Sequence, residues 1–428
     1  MAKRTSGLDQ LFQMAEQESN DSAFFPRLHT TASRRLRGVL PARTIHAQVK
    51  SLQALPVDAY IARSVTPSEQ KNRPGAKATV KRLGTILRET IDGPLYAAEV
   101  EILFNGSPRR VGVLGQERTA NNGVWLPSHH LQAVELVQKF AEFSLPVITL
   151  IDTPGADAGD QANRDNQAHA ISRLIAEMAL LHVPTIGIVI GAGYSGGAIP
   201  LATTNLLLTV RDGVFNTIQP PGMASIARKY DLSWQECAKY VGVSSYELYK
   251  QGYVDGIIDY VPGEKENEGN LTDAIASGIA SLEETAGLFV SERPEIFDHY
   301  SRSVYRFLEP GDALSQFERQ SGMLRPRNPS QFGVFGSTYR YLRYLGLRQR
   351  IQSTTIESYG RLTTVEVPQG ELSERRRMEH ANAFQQWVEN PLEIRYDDHL
   401  SKAWKVFMDR RHALGAERGR LMKLLRGN

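Results

Sequence analysis

The sequence predicts an α/β fold in which short buried strands feed abrupt loops and amphipathic helices lie between the strands. Three observations carry this reading. Two apolar runs, residues 147–151 and 185–190, are too short for typical helices and are bounded by Pro or Gly, as strands buried on both faces are. Between them, residues 166–181 put Ile171, Leu174, Ile175, Met178 and Leu181 on one helical stripe, with Arg173 and Glu177 expected to face away. Ahead of both, Asn105-Gly106 separates two strand-like segments, the strongest short hairpin signal.

Composition bounds the rest. The chain has 428 residues, a length typical of two or three domains, and 41% apolar against 23% charged residues predicts a sizeable core. A net charge of +3 is too small to argue for nucleic acid. Basic stretches such as Arg34-Arg35-Leu36-Arg37, and the acid-free run 325–350, read as solvated faces, with a phosphate-bearing ligand or an acidic partner as the alternative. The single cysteine, Cys237, excludes a disulfide framework or a Cys-based zinc site within the chain, so no metal is expected, and a reducing, cytoplasmic setting fits. The opening MAKRTSGLDQLFQ lacks an apolar signal core, and no apolar run approaches the ~18 residues of a membrane span.

In chain order, residues 1–90 read as a basic N-terminal arm, partly helical around 47–55, with a break at Arg73-Pro74-Gly75. A central domain spans 91–290. It opens with the hairpin 96–104 and 110–114, followed by a helix over 129–143 whose Leu131, Val134, Leu136, Val137 and Phe140 form one buried face, started by Pro127-Ser128. Past the glycines, 206–210 and 214–218 read as strands around Arg211-Asp212-Gly213, and Pro220-Pro221-Gly222 as a sharp turn. Ser233 with Glu236, and Ser244 with Glu247, have capping-box spacing, so two short helices start there; Gly252 ends the second and 254–261 is a closing strand. The order strand–strand–helix, repeated, is not an alternating Rossmann chain, and no G-x-G-x-x-G opens a nucleotide site. Residues 291–428 read as a mostly helical extension, with helices at 375–387 and 399–425.

The candidate chemistry sits where the two buried runs end. Gly193-Tyr194-Ser195-Gly196-Gly197 follows a strand and precedes a helix. A helix start has unsatisfied N–H donors and partial positive charge, and Gly lets a ligand oxygen approach closely. That suits an oxyanion hole, where one donor contributes roughly 3–4 kcal/mol. Pro200 fits the first helical turn. A close strand–helix crossing that needs small residues would read the same way. The five residues also match the hydrolase elbow G-x-S-x-G, but no His occurs between Ser195 and His299 to activate the serine. Asp152-Thr153-Pro154-Gly155 resembles the D-x-x-G of GTPases, yet the phosphate loop which that reading needs is missing. It reads better as a shaped ligand wall.

Taken together, IDTPGA, the helix after it, VPTIGIVIGAGYSGGA, TIQPPGMASI and GYVDGIID resemble the carboxyltransferase alpha subunit of bacterial acetyl-CoA carboxylase, over roughly residues 96–262. They resemble more loosely the wider biotin-dependent acyl-CoA carboxyltransferases. The resemblance implies a crotonase/Clp-protease-like ββα superhelix. It implies a biotin-side subunit that moves a carboxyl group from carboxybiotin, on a biotin carboxyl carrier protein, to an acyl-CoA, with acetyl-CoA giving malonyl-CoA for fatty acid biosynthesis. A beta-type chain would supply the acyl-CoA side, in a hetero-oligomer. The resemblance places the biotin ureido oxygen on Gly196 and Gly197. Thr153, Pro154, Gly155, Ala156, Tyr194, Ser195, Pro221 and Gly222 are the implied substrate-binding residues, Pro220-Pro221-Gly222 standing where the family has Pro-Glu-Gly. Other departures are the polar loop Gln116-Glu117-Arg118-Thr119-Ala120-Asn121-Asn122 and Trp125-Leu126-Pro127 for the family's Gly-Met-Pro. Two alternatives stay open. A stand-alone acyl-CoA hydratase, isomerase or hydrolase would use Asp157, Asp160 or His169, and a non-catalytic assembly subunit would use the two arms as interaction surfaces.

Overall fold

The computed structural model of the chain describes residues 33, 35–104, 106–226 and 232–292. It opens with helices α1 (Ala42–Gln53), α2 (Val57–Ser64) and α3 (Ala76–Leu83), then strands β1 (Thr85–Asp92), β2 (Leu95–Phe104) and β3 (Ser107–Gln116). Helix α4 (Pro127–Glu142), strand β4 (Val147–Thr153), helices α5 (Asp160–Arg164) and α6 (Gln167–Leu180), strand β5 (Thr185–Tyr194) and helix α7 (Ser195–Ala202) follow. The described part closes with β6 (Leu206–Val210), β7 (Val214–Asn216), α8 (Pro220–Ile226), α9 (Trp234–Val241), α10 (Ser245–Gln251), β8 (Gly256–Ile258) and α11 (Gly269–Glu292).

The strands form one sheet in the order β1-β2-β3-β4-β5-β6-β8, with β7 paired to β5 off that path. Two tight hairpins build its antiparallel edge. Asp92 opposes Leu95 across Gly93-Pro94, and Phe104 opposes Ser107 across Asn105-Gly106. Gly93 and Gly106 take left-handed φ values of 52° and 82°, which short hairpin loops require. From β3 onward every pairing is parallel, as helical crossovers dictate.

Side-chain alternation splits the core into two layers. Ile148 and Leu150 of β4, Ile186, Ile188 and Ile190 of β5, and Leu206 and Leu208 of β6 join one apolar cluster with residues of α3 and α11. Val147, Ile151, Val189 and Leu207 face the opposite cluster, built with α4, α6 and α7. A third cluster joins Leu52, Tyr60 and Val65 to Tyr194, Val214, Met223 and Cys237. The part of the basic arm that the structure describes therefore contributes to the core, and β1 spans the 90/91 boundary drawn from the sequence.

Several expectations change. Residues 220–222 form no sharp turn; Pro220 and Pro221 open α8, where a missing N–H costs nothing. Glu177 does not face away; it is buried, and Gln138 Nε2 donates to it at 2.9 Å. Of the α6 stripe, Leu174 and Met178 are buried, while Ile171 is half-buried and flanks the glycine loop. Helix α11 adds a long element to those expected, with Leu271, Ile275, Ile279 and Leu282 recurring at helical spacing. Both capping boxes form, with Ser233 accepting from the Glu236 amide and Ser244 from the Glu247 amide. Gly252 ends α10 at φ 80°. The expected helices at 375–387 and 399–425 lie outside the described residues.

Candidate functional site

Strand β5 runs through Gly191 and Gly193 to Tyr194, and α7 starts at the next residue. Ser195 takes φ 60°, a left-handed conformation that a side-chain-bearing residue holds only under local strain. No side chain caps α7. Among the described residues, no loop carbonyl or side chain accepts from the Gly196 and Gly197 amides. Both amides lie at the positive end of the helix dipole, Gly196 half-buried and Gly197 buried.

Loop 153–156 closes over this opening. Thr153 Oγ1 accepts from the Gly155 amide at 3.1 Å and donates to the Gly155 carbonyl at 2.8 Å, so the loop is tied to itself. A Cβ placed on Gly197 would lie 2.5 Å from the Gly155 carbonyl carbon and 2.6 Å from the Ala156 nitrogen. Gly197 is therefore required by the close approach of this loop. A Cβ on Gly196 would meet the side chain of Ile171, its Cδ1 at 3.1 Å and its Cγ2 at 3.9 Å. Pro154 and Ala156 are half-buried and Gly155 is buried. Gln219 Nε2 donates to the Pro154 carbonyl, so the segment ahead of α8 joins the same rim, with Pro221 exposed and Gly222 half-buried. The Tyr194 side chain, expected among the ligand contacts, instead fills the third core cluster. Its hydroxyl is buried beside Glu69, and burial followed by that negative charge raises its pKa.

A bulge bends β5 into the site. Ile151 pairs with Val189 but Thr153 pairs with Gly193, so residues 190–192 oppose Asp152 alone. Backbone groups freed by the bulge are recovered by side chains from distant segments. Arg73 donates to the Ile190 carbonyl from Nε at 2.7 Å and Nη2 at 2.5 Å, and its Nη2 also pairs with Asp212 Oδ1 at 2.7 Å. The Ala192 amide donates to Asp152 Oδ1 at 3.1 Å. The Asp152 amide donates to Gln116 Oε1 at 3.1 Å, while Gln116 Nε2 donates to the Gly197 carbonyl at 2.7 Å. Arg118 Nη1 pairs with Asp152 Oδ1 at 2.8 Å and reaches the Ser68 carbonyl at 3.0 Å. Burial pushes the Asp152 carboxyl upward, with the charges of Arg118 and Arg73 pulling against it. The sequence placed Asp152 in a ligand wall, Gln116 and Arg118 in a polar loop and Arg73 at a break, and did not show that they bond into one network. A Gln ending an apolar strand, and an Arg before Pro74-Gly75, were the available signals.

The general acid–base candidates stay apart from the loop. Asp157 Oδ1 accepts from the Gly159 amide at 2.7 Å, Asp160 is exposed at the start of α5, and His169 is exposed on α6. Ser195 has the strain of a nucleophile elbow, but among the described residues no His bonds to it. No group of three or more His, Cys, Asp or Glu that could hold a metal occurs among the described residues, and none of their helices is long and apolar enough to cross a membrane.

The sequence matches the family described as acetyl co-enzyme A carboxylase carboxyltransferase-like over residues 110–295. It is 36% identical over 188 residues to the acetyl-coenzyme A carboxylase carboxyl transferase subunit alpha of Cereibacter sphaeroides, covering 42% of this chain and 58% of that protein. Against the subunit of the same name from Brucella ovis, identity is 32% over 215 residues, covering 47% of this chain and 67% of the relative. A solved transcarboxylase 12S aligns at a TM-score of 0.43 and 16% identity, over 55% of this chain and 43% of that one. The matched residues contain both loops and the uncapped helix start, and they define a domain of carboxyltransferase type. The chain belongs to the acetyl-CoA carboxylase carboxyltransferase alpha-subunit family. It spans little more than half the length of the Cereibacter relative, 58%.

Proposed function

We propose that this chain is the biotin-side half of an acyl-CoA carboxyltransferase. It moves a carboxyl group from carboxybiotin to an acyl-CoA, in a hetero-oligomer with a beta-type chain and a biotin carboxyl carrier protein. In this reading the acyl substrate is acetyl-CoA, the one in the relatives' names, the product is malonyl-CoA, and the setting is fatty acid biosynthesis in the cytoplasm. The observation that carries this is the bare pair of amides, Gly196 and Gly197, at the uncapped start of α7 beneath loop 153–156.

The residues fit the group. A ureido oxygen is a strong acceptor with no need of a counter-charge, and two backbone donors on a helix dipole suit it. Gly196 and Gly197 would hold it, with Thr153, Pro154, Gly155 and Ala156 on one side and Pro221 and Gly222 on the other. When bound, carboxybiotin supplies both the carboxyl group and a ureido nitrogen able to take the proton that the acyl-CoA loses. The chain's own residues are then asked to orient and to keep water out. A site without a paired His and carboxylate agrees with that division of labour.

The strain at Ser195 is the one feature that favours a stand-alone hydrolase instead. The two readings separate in one assay. The purified chain is combined with a beta-type carboxyltransferase chain and a carrier bearing radiolabelled carboxybiotin, and loss of label on adding acetyl-CoA is followed. Transfer only when both chains are present is expected. Turnover of an enoyl-CoA or acyl-CoA thioester by the lone chain, with no transfer in the mixture, would overturn the proposal.

A further inference from the structure

We infer that Gln116 is a positioning residue that sets the direction of the Gly196 and Gly197 amides, acting through the Gly197 carbonyl. The inference deepens the carboxyltransferase reading and rests on it for its catalytic consequence. Gln116 is fully buried, and both ends of its amide are used. Its Oε1 accepts from the Asp152 amide at 3.1 Å, and its Nε2 donates to the Gly197 carbonyl at 2.7 Å. It stands at the end of β3, opposite Leu95, so its backbone is fixed by the sheet. One buried side chain therefore joins β3, the end of β4 and the first turn of α7.

The link sits where the ladders on both sides of β4 give out. Where residues 190–192 oppose Asp152, the regular β4–β5 ladder is interrupted just before the loop. On the other side of β4 the β3 ladder has its last pair at Gly115 and Leu150, and the Asp152 amide just beyond it finds its acceptor in the Gln116 side chain. The peptide planes that carry the Gly196 and Gly197 amides follow the tilt of the first α7 turn. That turn has no cap of its own, so the Gly197 carbonyl is the handle by which the sheet holds it. Gln116 touches neither the proposed ligand nor its amides. Its effect is on aim.

Aim decides rate more than affinity, since a misplacement near 1 Å can cost on the order of 100-fold in turnover. The test uses the full chain assembled with its beta-type partner, comparing wild type with Gln116→Met, which keeps length and volume but makes neither bond. Gln116→Ala is the second variant, in case methionine repacks. The expected result is a loss on the order of 10- to 100-fold in kcat with the KM for acyl-CoA within about twofold, because the acyl-CoA side belongs to the partner. Hydrogen exchange supplies a readout independent of turnover: the peptide covering 193–199 should exchange faster in both variants, while α11 is unchanged. A kcat within about twofold of wild type in both variants would overturn the inference. So would a rise in exchange across the whole chain, which marks general destabilisation. If wild-type complex transfers no carboxyl group, the carboxyltransferase reading fails, and the exchange arm alone decides whether Gln116 holds the helix opening.

Discussion

Gly196 and Gly197 are adjacent but differ in what they tolerate. A methyl group on Gly197 meets the peptide between Gly155 and Ala156, which cannot yield without moving the loop. Gly197→Ala is expected to cost about 1–3 kcal/mol, as overpacking does, and to abolish transfer. Gly196→Ala meets only the side chain of Ile171 and is expected to keep wild-type Tm within about 2 °C, the shift of less than 1 kcal/mol. Thermal melts of the two variants check this. His130 makes a second prediction at this scale. It is buried edge-on to Trp125 at 5.3 Å between ring centres, and burial pushes its pKa down to about 4. Unfolded, it takes its proton near pH 6.5. Between those values the unfolded chain holds more protons, so stability falls as pH drops through that window, by about 3 kcal/mol in all. His129, also lowered by burial, adds in the same direction. His130→Gln should flatten the slope of Tm against pH between about 4 and 6.5 and leave it unchanged above.

At the scale of elements, what the sequence showed depends on how local the cause is. Strand β4 and the start of β5 were legible because burial on both faces leaves an unbroken apolar run. Both capping boxes were legible because their partners lie three residues apart. Edge strand β1 was not, since its exposed Arg88, Glu89 and Asp92 mask the pairing with β2. The bulge at 190–192 was illegible for a stronger reason. Its backbone groups are recovered by Arg73 and Asp152, and those residues come from two other segments of the chain. The same long reach ties α2 to α10. The Tyr60 hydroxyl donates to Glu247 at 2.5 Å and accepts from the Val243 amide at 3.2 Å. Burial, then the Glu247 charge, raises the pKa of the Tyr60 hydroxyl, and burial raises that of the carboxyl. Tyr60→Phe strands part of a buried carboxyl and an amide, and is expected to cost about 1–3 kcal/mol in urea unfolding with the m-value unchanged.

For the whole molecule, the sheet brings the ends of β3, β4 and β5 to one place and covers both faces with helices. The loop positions of the candidate site were legible, as ends of buried strands feeding glycine. Which glycine tolerates a side chain and which does not was not, because that distinction is set by the packing of 153–156 on α7. The site so built has donors, a dipole and a wall, which under the proposed function would act by positioning. Under the proposed function the Gly196 and Gly197 amides grip a ureido oxygen. The most direct measurement is nuclear magnetic resonance of the chain carrying isotope-labelled glycine, alone and assembled with a beta-type partner, titrated with biotin. Downfield movement of the Gly196 and Gly197 amide protons, with Gly84 and Gly287 still, is the predicted result. Saturating biotin that moves other glycines, or none, while those two stay fixed in the assembled complex would contradict it.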